Sequence, residues 1–253
     1  NMALAIYRGL IESGFPTENI GVVDPSEAAQ SAARASGLIR IAESATNADL
    51  SADLIVLAVK PQITGIALSP LAHRVSSTAT VLSIIAGINS ASLANLLGLP
   101  SDDAVVRSMP NTPALVGEGM TGLFSNSDQR AHGRLLAERV MSAVGQCVWV
   151  SNESDLDLVT AISGSGPAYF FLFMESLADA AVELGMSPQT AHQLSIQTAL
   201  GAAKLAQTSD DALAKLRENV TSPGGTTEQA IKSFEASELR AIVMSATRAA
   251  KKR

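Results

Sequence analysis

The sequence predicts a two-part molecule: an α/β half of the Rossmann type, with helices on both faces of a parallel sheet, then an all-α half. Three observations predict it. Over residues 1–150, short β-rich runs alternate with helical patterns, the order that crossover connections in a parallel sheet produce. The run Leu54-Ile55-Val56-Leu57-Ala58-Val59 is apolar throughout, as expected of a strand buried on both faces. From Asp155 onward no strand pattern appears and helical patterns take over. The boundary is placed near Ser151, giving domains 1–150 and 151–253.

In chain order, Asn1-Met2-Ala3-Leu4-Ala5-Ile6 opens a helix at once. Strands are expected over residues 21–24, 54–59, 80–85, 104–109, 120–124 and 147–150. Helices are expected over 25–36, 61–73, 91–97 and 128–144, with Gly37 just past the first of these, where a helix end favours glycine. The second half reads as helices 156–162, 167–184, 188–207, 211–219, 226–234 and 239–250. These are rich in small residues such as Ala178, Ala180, Ala181, Ala199, Gly201, Ala202 and Ala203. Such helices either pack closely against a second subunit or are alanine-rich for helix propensity alone, and the pattern supports both readings equally.

A doubly wound sheet needs a first strand at its centre, and none precedes the opening helix. The strand ending at Asp24 stands where the second strand of a dinucleotide fold belongs. Asp24 itself occupies the place of the acidic residue that meets a ribose hydroxyl. A strand and a Gly-rich turn are therefore expected upstream of Asn1. The ending Lys251-Lys252-Arg253 reads as short by a helical turn or more.

Composition narrows the function classes. A net charge of −6 argues against a nucleic-acid or anionic-membrane surface. No apolar run approaches the roughly 20 residues of a membrane span, and no signal peptide is visible. The single cysteine, Cys147, excludes an internal disulfide framework, reads as a buried strand residue, and fits a reducing, cytoplasmic compartment. No Cys/His spacing implies a metal. His73, His132 and His192 form no cluster and read as helix-surface residues; Glu175 and Asp179, one turn apart, read as a solvated pair rather than catalytic acids.

The chemistry-bearing segments are loops. Ser163-Gly164-Ser165-Gly166-Pro167-Ala168 and Thr221-Ser222-Pro223-Gly224-Gly225-Thr226-Thr227 each stand before a long helical pattern. A helix start carries unpaired N–H groups and partial positive charge, so two of them in one small domain point to a small carboxylate ligand. Lys60-Pro61 follows the strand at 54–59, and open α/β sheets bind ligands at the carboxyl ends of their strands. Ala86-Gly87 follows the next strand and permits close backbone approach. Asp24-Pro25-Ser26 reads either as a ribose site or as a plain helix cap.

Five segments in order resemble the pyrroline-5-carboxylate reductase family. They are Asn1-Met2-Ala3, Ala58-Val59-Lys60-Pro61, Met109-Pro110-Asn111-Thr112-Pro113, Ser163-Gly164-Ser165-Gly166-Pro167-Ala168-Tyr169, and Val220-Thr221-Ser222-Pro223-Gly224-Gly225-Thr226-Thr227. The first matches the tail of the family's G-x-G-N-M-A turn. The resemblance implies a reductase that uses NADPH or NADH on 1-pyrroline-5-carboxylate to give L-proline, working as a homodimer or larger homo-oligomer whose helical domains interlock. It implies cofactor contacts at Asn1, Met2, Asp24, Ser26, Asn47, Ala58, Val59, Lys60, Pro61, Ala86, Gly87, Asn111 and Thr112. Asn47 matches an adenosine-side position and also reads as the cap of a short helix. The implied substrate contacts are Ser163, Gly164, Ser165, Gly166, Val220, Ser222, Gly224, Gly225 and Thr226, with Thr227 donating a hydrogen bond to the imine nitrogen. Two rivals stand beside this reading. One is a related imine or β-hydroxyacid reductase on the same architecture, of which the β-hydroxyacid type expects a lysine on the helix over 167–184, which has none; the other, a non-catalytic dinucleotide-sensing or scaffold protein, draws its support from the missing glycine turn.

Overall fold

The computed structural model describes residues 2–127 and 131–252. The expected site residue Asn1 and the first three residues of the helix expected over 128–144 lie outside them. The chain divides into two compact units, residues 1–164 and 165–253.

The first unit runs α1 (Met2–Glu12), β1 (Gly21–Val23), α2 (Glu27–Ala35), β2 (Arg40–Ala42), β3 (Leu54–Leu57), α3 (Thr64–Leu68), β4 (Thr80–Ser83), α4 (Ser90–Leu97), β5 (Val105–Met109), β6 (Gly119–Ser125), α5 (Ala131–Ser142), β7 (Gly145–Trp149) and α6 (Asp155–Val159). β1 and β2 form a parallel pair, and the other five strands form a sheet ordered β3-β4-β5-β6-β7. Alternating side chains feed two cores, one on each face. Leu82, Val106 and Leu123 pack with Ala5, Ile6 and Leu10 of α1 and Ala137 and Met141 of α5. Leu57, Val81 and Val105 pack with Leu68 of α3 and Leu93 and Leu97 of α4. Helices therefore cover both faces, as the alternating pattern predicts.

Local chemistry sets the element ends. Asn89 caps α4 by accepting from the Ser92 N–H at 2.8 Å. Gly98 closes the same helix at φ +66°, and a Cβ there would lie 2.3 Å from the His73 ring, so this turn needs glycine twice over.

Four expectations are corrected. β5 and β6 pair antiparallel, Met109 opposite Gly122; the segment joining them holds only a short 3-10 turn, too little for a parallel crossover. Leu54, Ile55 and Val56 are only half-buried, because β3 is an edge strand, and β4 is the strand buried along its whole length. The helix expected over 61–73 breaks into 3-10, α and 3-10 pieces, with Pro61 and Pro70 each starting a 3-10 turn, and His73 ends in a left-handed turn at φ +59°. Cys147 is half-buried on the edge strand β7. The three-residue strand β2 was not expected at all; its Arg-Ile-Ala sequence shows no apolar run.

The compact units divide later than the change in sequence pattern near Ser151. α6 packs on the sheet: Leu156 is buried, and a Cβ on Gly122 of β6 would lie 2.7 Å from the Val159 methyls. A π-helical turn, Thr160–Gly164, follows α6 and ends this unit.

The second unit holds α7 (Gly166–Glu183), α8 (Pro188–Thr208), α9 (Leu213–Asn219), α10 (Thr226–Ala236) and α11 (Leu239–Lys251). α7 and α8 form a hairpin closed by Gly185 at φ +100°, and the Ser195 hydroxyl donates to the Met174 carbonyl at 2.6 Å across it. Phe173 of α7 meets Phe234 of α10 with ring centroids 6.1 Å apart. Among the described residues of this unit, only Gly166, Ala191 and Ser195 are buried.

Candidate active site

β3, β4 and β5 are mutually parallel, so the segments leaving their carboxyl ends share one edge of the sheet. Ala58 and Val59 follow β3 half-buried, and Lys60 and Pro61 are exposed. Lys60 makes no ion pair among the described residues. Its carbonyl accepts from Ile63 N–H at 3.1 Å and from the Thr64 hydroxyl at 3.2 Å, which fixes the turn. After β4, Ala86 and Gly87 are exposed; Gly87 has φ +75° with no atom within 4 Å of a Cβ position. Glycine is required there by backbone conformation, and the space beside it is open. Arg107 of β5, Ser90 of α4 and Glu153 ahead of α6 join behind this segment in a network that no sequence pattern had indicated.

After β5 the structure places Asn111 and Thr112 differently. Asn111 is buried; its amide N–H donates to the Ser163 carbonyl at 3.0 Å and its oxygen accepts from Met120 N–H at 2.9 Å. The amide expected among the cofactor contacts thus ties this loop to β6 and to the π-turn. Thr112 is the exposed polar group of the loop.

At the end of β1, one Asp24 carboxylate oxygen accepts from Ser26 N–H at 2.8 Å, so the helix-cap reading is realised; the other oxygen has no partner among the described residues. Ser26 is exposed at the N-cap of α2. No helix follows Asn47, which sits exposed in a turn with its N–H on the Ser44 carbonyl. Arg74 pins that turn through the carbonyls of Ala45 and Ala48, a contact across 26 to 29 residues that sequence reasoning missed. Met2 opens α1 half-buried against the first core.

The two glycine-rich loops differ. Ser163 and Gly164 belong to the π-turn; the Ser163 hydroxyl donates to the Val159 carbonyl at 3.1 Å, and Gly164 faces the Met109 methyl. Ser165 and Gly166 lead into α7, whose Ala168 N–H is taken by the Ser165 carbonyl at 3.0 Å. The expected open helix start is largely occupied by the protein itself, because small residues let the chain stay helical through this stretch.

The second loop is open. Val220, Ser222 and Gly224 are exposed, and Gly224 has φ +73°. Gly225 is the N-cap of α10 and offers no side chain to cap it. The N–H groups of Thr226, Thr227 and Glu228 have no partner among the described residues, and neither do the hydroxyls of Thr226 and Thr227. Glu228 turns back to accept from Gly224 N–H at 2.9 Å and pairs with Lys232 at 3.3 Å. The Gly224 bond, then Lys232, hold its carboxyl below the ordinary carboxylate range. Three convergent N–H donors at a helix start, flanked by two hydroxyls, suit a small carboxylate.

Comparison with known proteins identifies the family. Residues 153–253 match the family model described as pyrroline-5-carboxylate reductase dimerisation, and residues 1–87 match the one described as NADP oxidoreductase, coenzyme F420-dependent. The pyrroline-5-carboxylate reductase of Pseudomonas aeruginosa is 44% identical over 253 residues, all of this chain and 92% of that protein. The enzyme of Haemophilus influenzae is 42% identical over 98% of this chain and 91% of its own length. A solved structure of the Coxiella burnetii enzyme superposes with a TM-score of 0.92 at 39% identity, covering 100% of this chain and 93% of that one. The Plasmodium falciparum pyrroline carboxylate reductase, solved with NADP bound, gives 0.84 at 32% identity, covering 99% and 92%. With relatives this similar over its whole length, the chain belongs to the pyrroline-5-carboxylate reductase family.

Proposed function

We infer that this chain is a cytoplasmic homodimeric reductase that takes 1-pyrroline-5-carboxylate to L-proline with NADPH or NADH, the last step of proline biosynthesis. The observation that carries the reading is the open start of α10, where the N–H groups of Thr226, Thr227 and Glu228 and the Thr226 and Thr227 hydroxyls have no partner among the described residues. The substrate has one carboxylate and one imine nitrogen. The N–H groups, helped by the Ser222 and Thr226 hydroxyls, hold the carboxylate; Gly224 and Gly225 let backbone come close to it, and Val220 borders it. Ser163, Gly164, Ser165 and Gly166 are the further substrate contacts that the family resemblance implies. Thr227 donates to the imine nitrogen.

The cofactor, when bound, supplies the hydride that adds to the imine carbon. Its fit rests on the open space beside Gly87 and on the Lys60 ammonium and one Asp24 oxygen, neither of which has a partner among the described residues. Lys60, Ser26, Asn1 and Met2, the first residue of α1, hold phosphate; Asp24 takes a ribose hydroxyl; Asn47 borders the adenosine. Ala58, Val59, Pro61, Ala86 and Gly87 bring backbone alongside, and Thr112 meets the nicotinamide side. Asn111 acts here as a brace for that loop, since its side chain is engaged by the protein. The protonated imine is already electrophilic, so the chain's main contribution is orientation of the ring.

The test uses the protein as its gene encodes it. NADPH and NADH oxidation is followed with 1-pyrroline-5-carboxylate and with 1-pyrroline, which lacks the carboxylate. Removing the charged acceptor should lower kcat/KM about tenfold to a hundredfold or more. Equal turnover of the two imines would remove the α10 site, and turnover of neither would remove the assignment.

A further inference from the structure

Glu153 is the least exposed paired carboxylate among the described salt bridges, and nothing in the reading above uses it. Its Oε1 accepts three donors: Ser90 N–H at 2.7 Å, the Ser90 hydroxyl at 2.8 Å, and the Arg107 guanidinium at 3.2 Å. Ser90 is fully buried, and the Glu153 and Arg107 side chains are 27% and 12% exposed. The three residues come from different parts of the chain. Ser90 is the first residue of α4 and ends the segment carrying Ala86 and Gly87. Arg107 lies on β5, four residues before Asn111. Glu153 precedes α6, and its carbonyl holds Leu156 N–H at 3.1 Å.

We propose that Glu153 is a positioning residue for cofactor binding, clamping the segment after β4 to β5 so that the Ala86-Gly87 backbone stays at the sheet edge. The proposal rests on the cofactor edge assigned above. Geometry favours positioning over mere support. Asn89 already caps α4 through Ser92, so the Glu153 bond to Ser90 is not needed to start that helix. What it adds is a fixed anchor three residues beyond Gly87, whose backbone is left-handed and whose Cβ position has no described atom within 4 Å. A charge-assisted anchor of this kind holds a loop more tightly than neutral bonds do. Its partner Arg107 is nearly buried, so the carboxylate also keeps a cation from being left unpaired. Asn111 braces the next loop along the same edge. Together the two residues hold consecutive ligand-facing loops from behind.

The test compares Glu153→Gln, Glu153→Ala and Ser90→Ala with the unchanged enzyme, using direct NADPH titration and steady-state kinetics, with thermal unfolding to establish that each is folded. Glu153→Gln keeps an oxygen for Ser90 and loses the charge; it should weaken NADPH binding about threefold to tenfold, and Glu153→Ala more, since loops displaced by an ångström lose up to about a hundredfold. The cofactor KM should rise in parallel while the 1-pyrroline-5-carboxylate KM stays within about twofold. A folded Glu153→Gln enzyme that binds NADPH as tightly as the unchanged one overturns the proposal, even if its melting temperature falls. If the unchanged enzyme binds no NADPH, the cofactor edge itself fails, a result separate from this one.

Discussion

Leu82 of β4 and Leu93 of α4 are wholly buried, whereas Phe170, Phe171 and Leu172 of α7 are 69%, 62% and 63% exposed. The side chains are equally apolar; what differs is whether their own unit can cover them. The sheet unit gives each strand face a helix and closes two cores. The helical unit has a hairpin and three further helices but almost nothing buried, and its stretch Asp155–Glu183, which overlaps the end of the sheet unit, is long and apolar enough by composition to cross a bilayer. A surface of this kind marks an interaction face. The family model that matches it is a dimerisation domain. One unit carries its core within a single chain, and the other leaves its apolar helices exposed there.

The contrast can be broken from the helical side with the largest effect. Placing charges on the exposed face, as Phe170→Asp together with Phe171→Asp, should dissociate the oligomer and abolish activity while leaving the sheet unit folded; sedimentation velocity and circular dichroism read both outcomes. From the other side, Leu82→Ala should cost about 2–5 kcal/mol in the sheet unit by leaving a cavity. Urea unfolding should show that loss with assembly intact. Within the open α10 start, Thr227→Ala should lower turnover about tenfold to a hundredfold, or roughly 1–3 kcal/mol, with the NADPH dissociation constant unchanged.

The smallest expected effect belongs to Glu228. Its lowered pKa means that its contribution is complete above the ordinary glutamate value near 4.5 and is lost only as pH falls through the lowered value. Between pH 5 and pH 9, roughly, it stays charged, so it should produce no break in a kcat/KM profile. Glu228→Gln removes a like charge beside the substrate carboxylate and should lower the substrate KM about twofold or less, more clearly at low salt.

Sequence reasoning succeeded where the pattern is local. Apolar runs and alternation located the strands other than β2, and glycine-rich loops located the helix starts. It failed where contacts are long-range or where polar groups are spent internally. Asn111 looked free because its partners, Ser163 and Met120, lie 52 and 9 residues away. The Glu153 network spans separations of 63 and 46 residues. The antiparallel β5–β6 pairing follows from a connection too short for a crossover, a length the sequence displayed but the alternating pattern concealed. The Ser163–Gly166 loop looked like its counterpart at Ser222–Thr226; only backbone geometry separates a stretch that continues as a π-turn from one that leaves its amides open.

The most direct measurement is the sedimenting mass and the reductase activity of the same sample across a dilution series. Each chain has a mass of 26.1 kDa. An even multiple of that mass, with turnover falling as the assembly dissociates, is the predicted result. A 26.1 kDa monomer working at the full rate would contradict it.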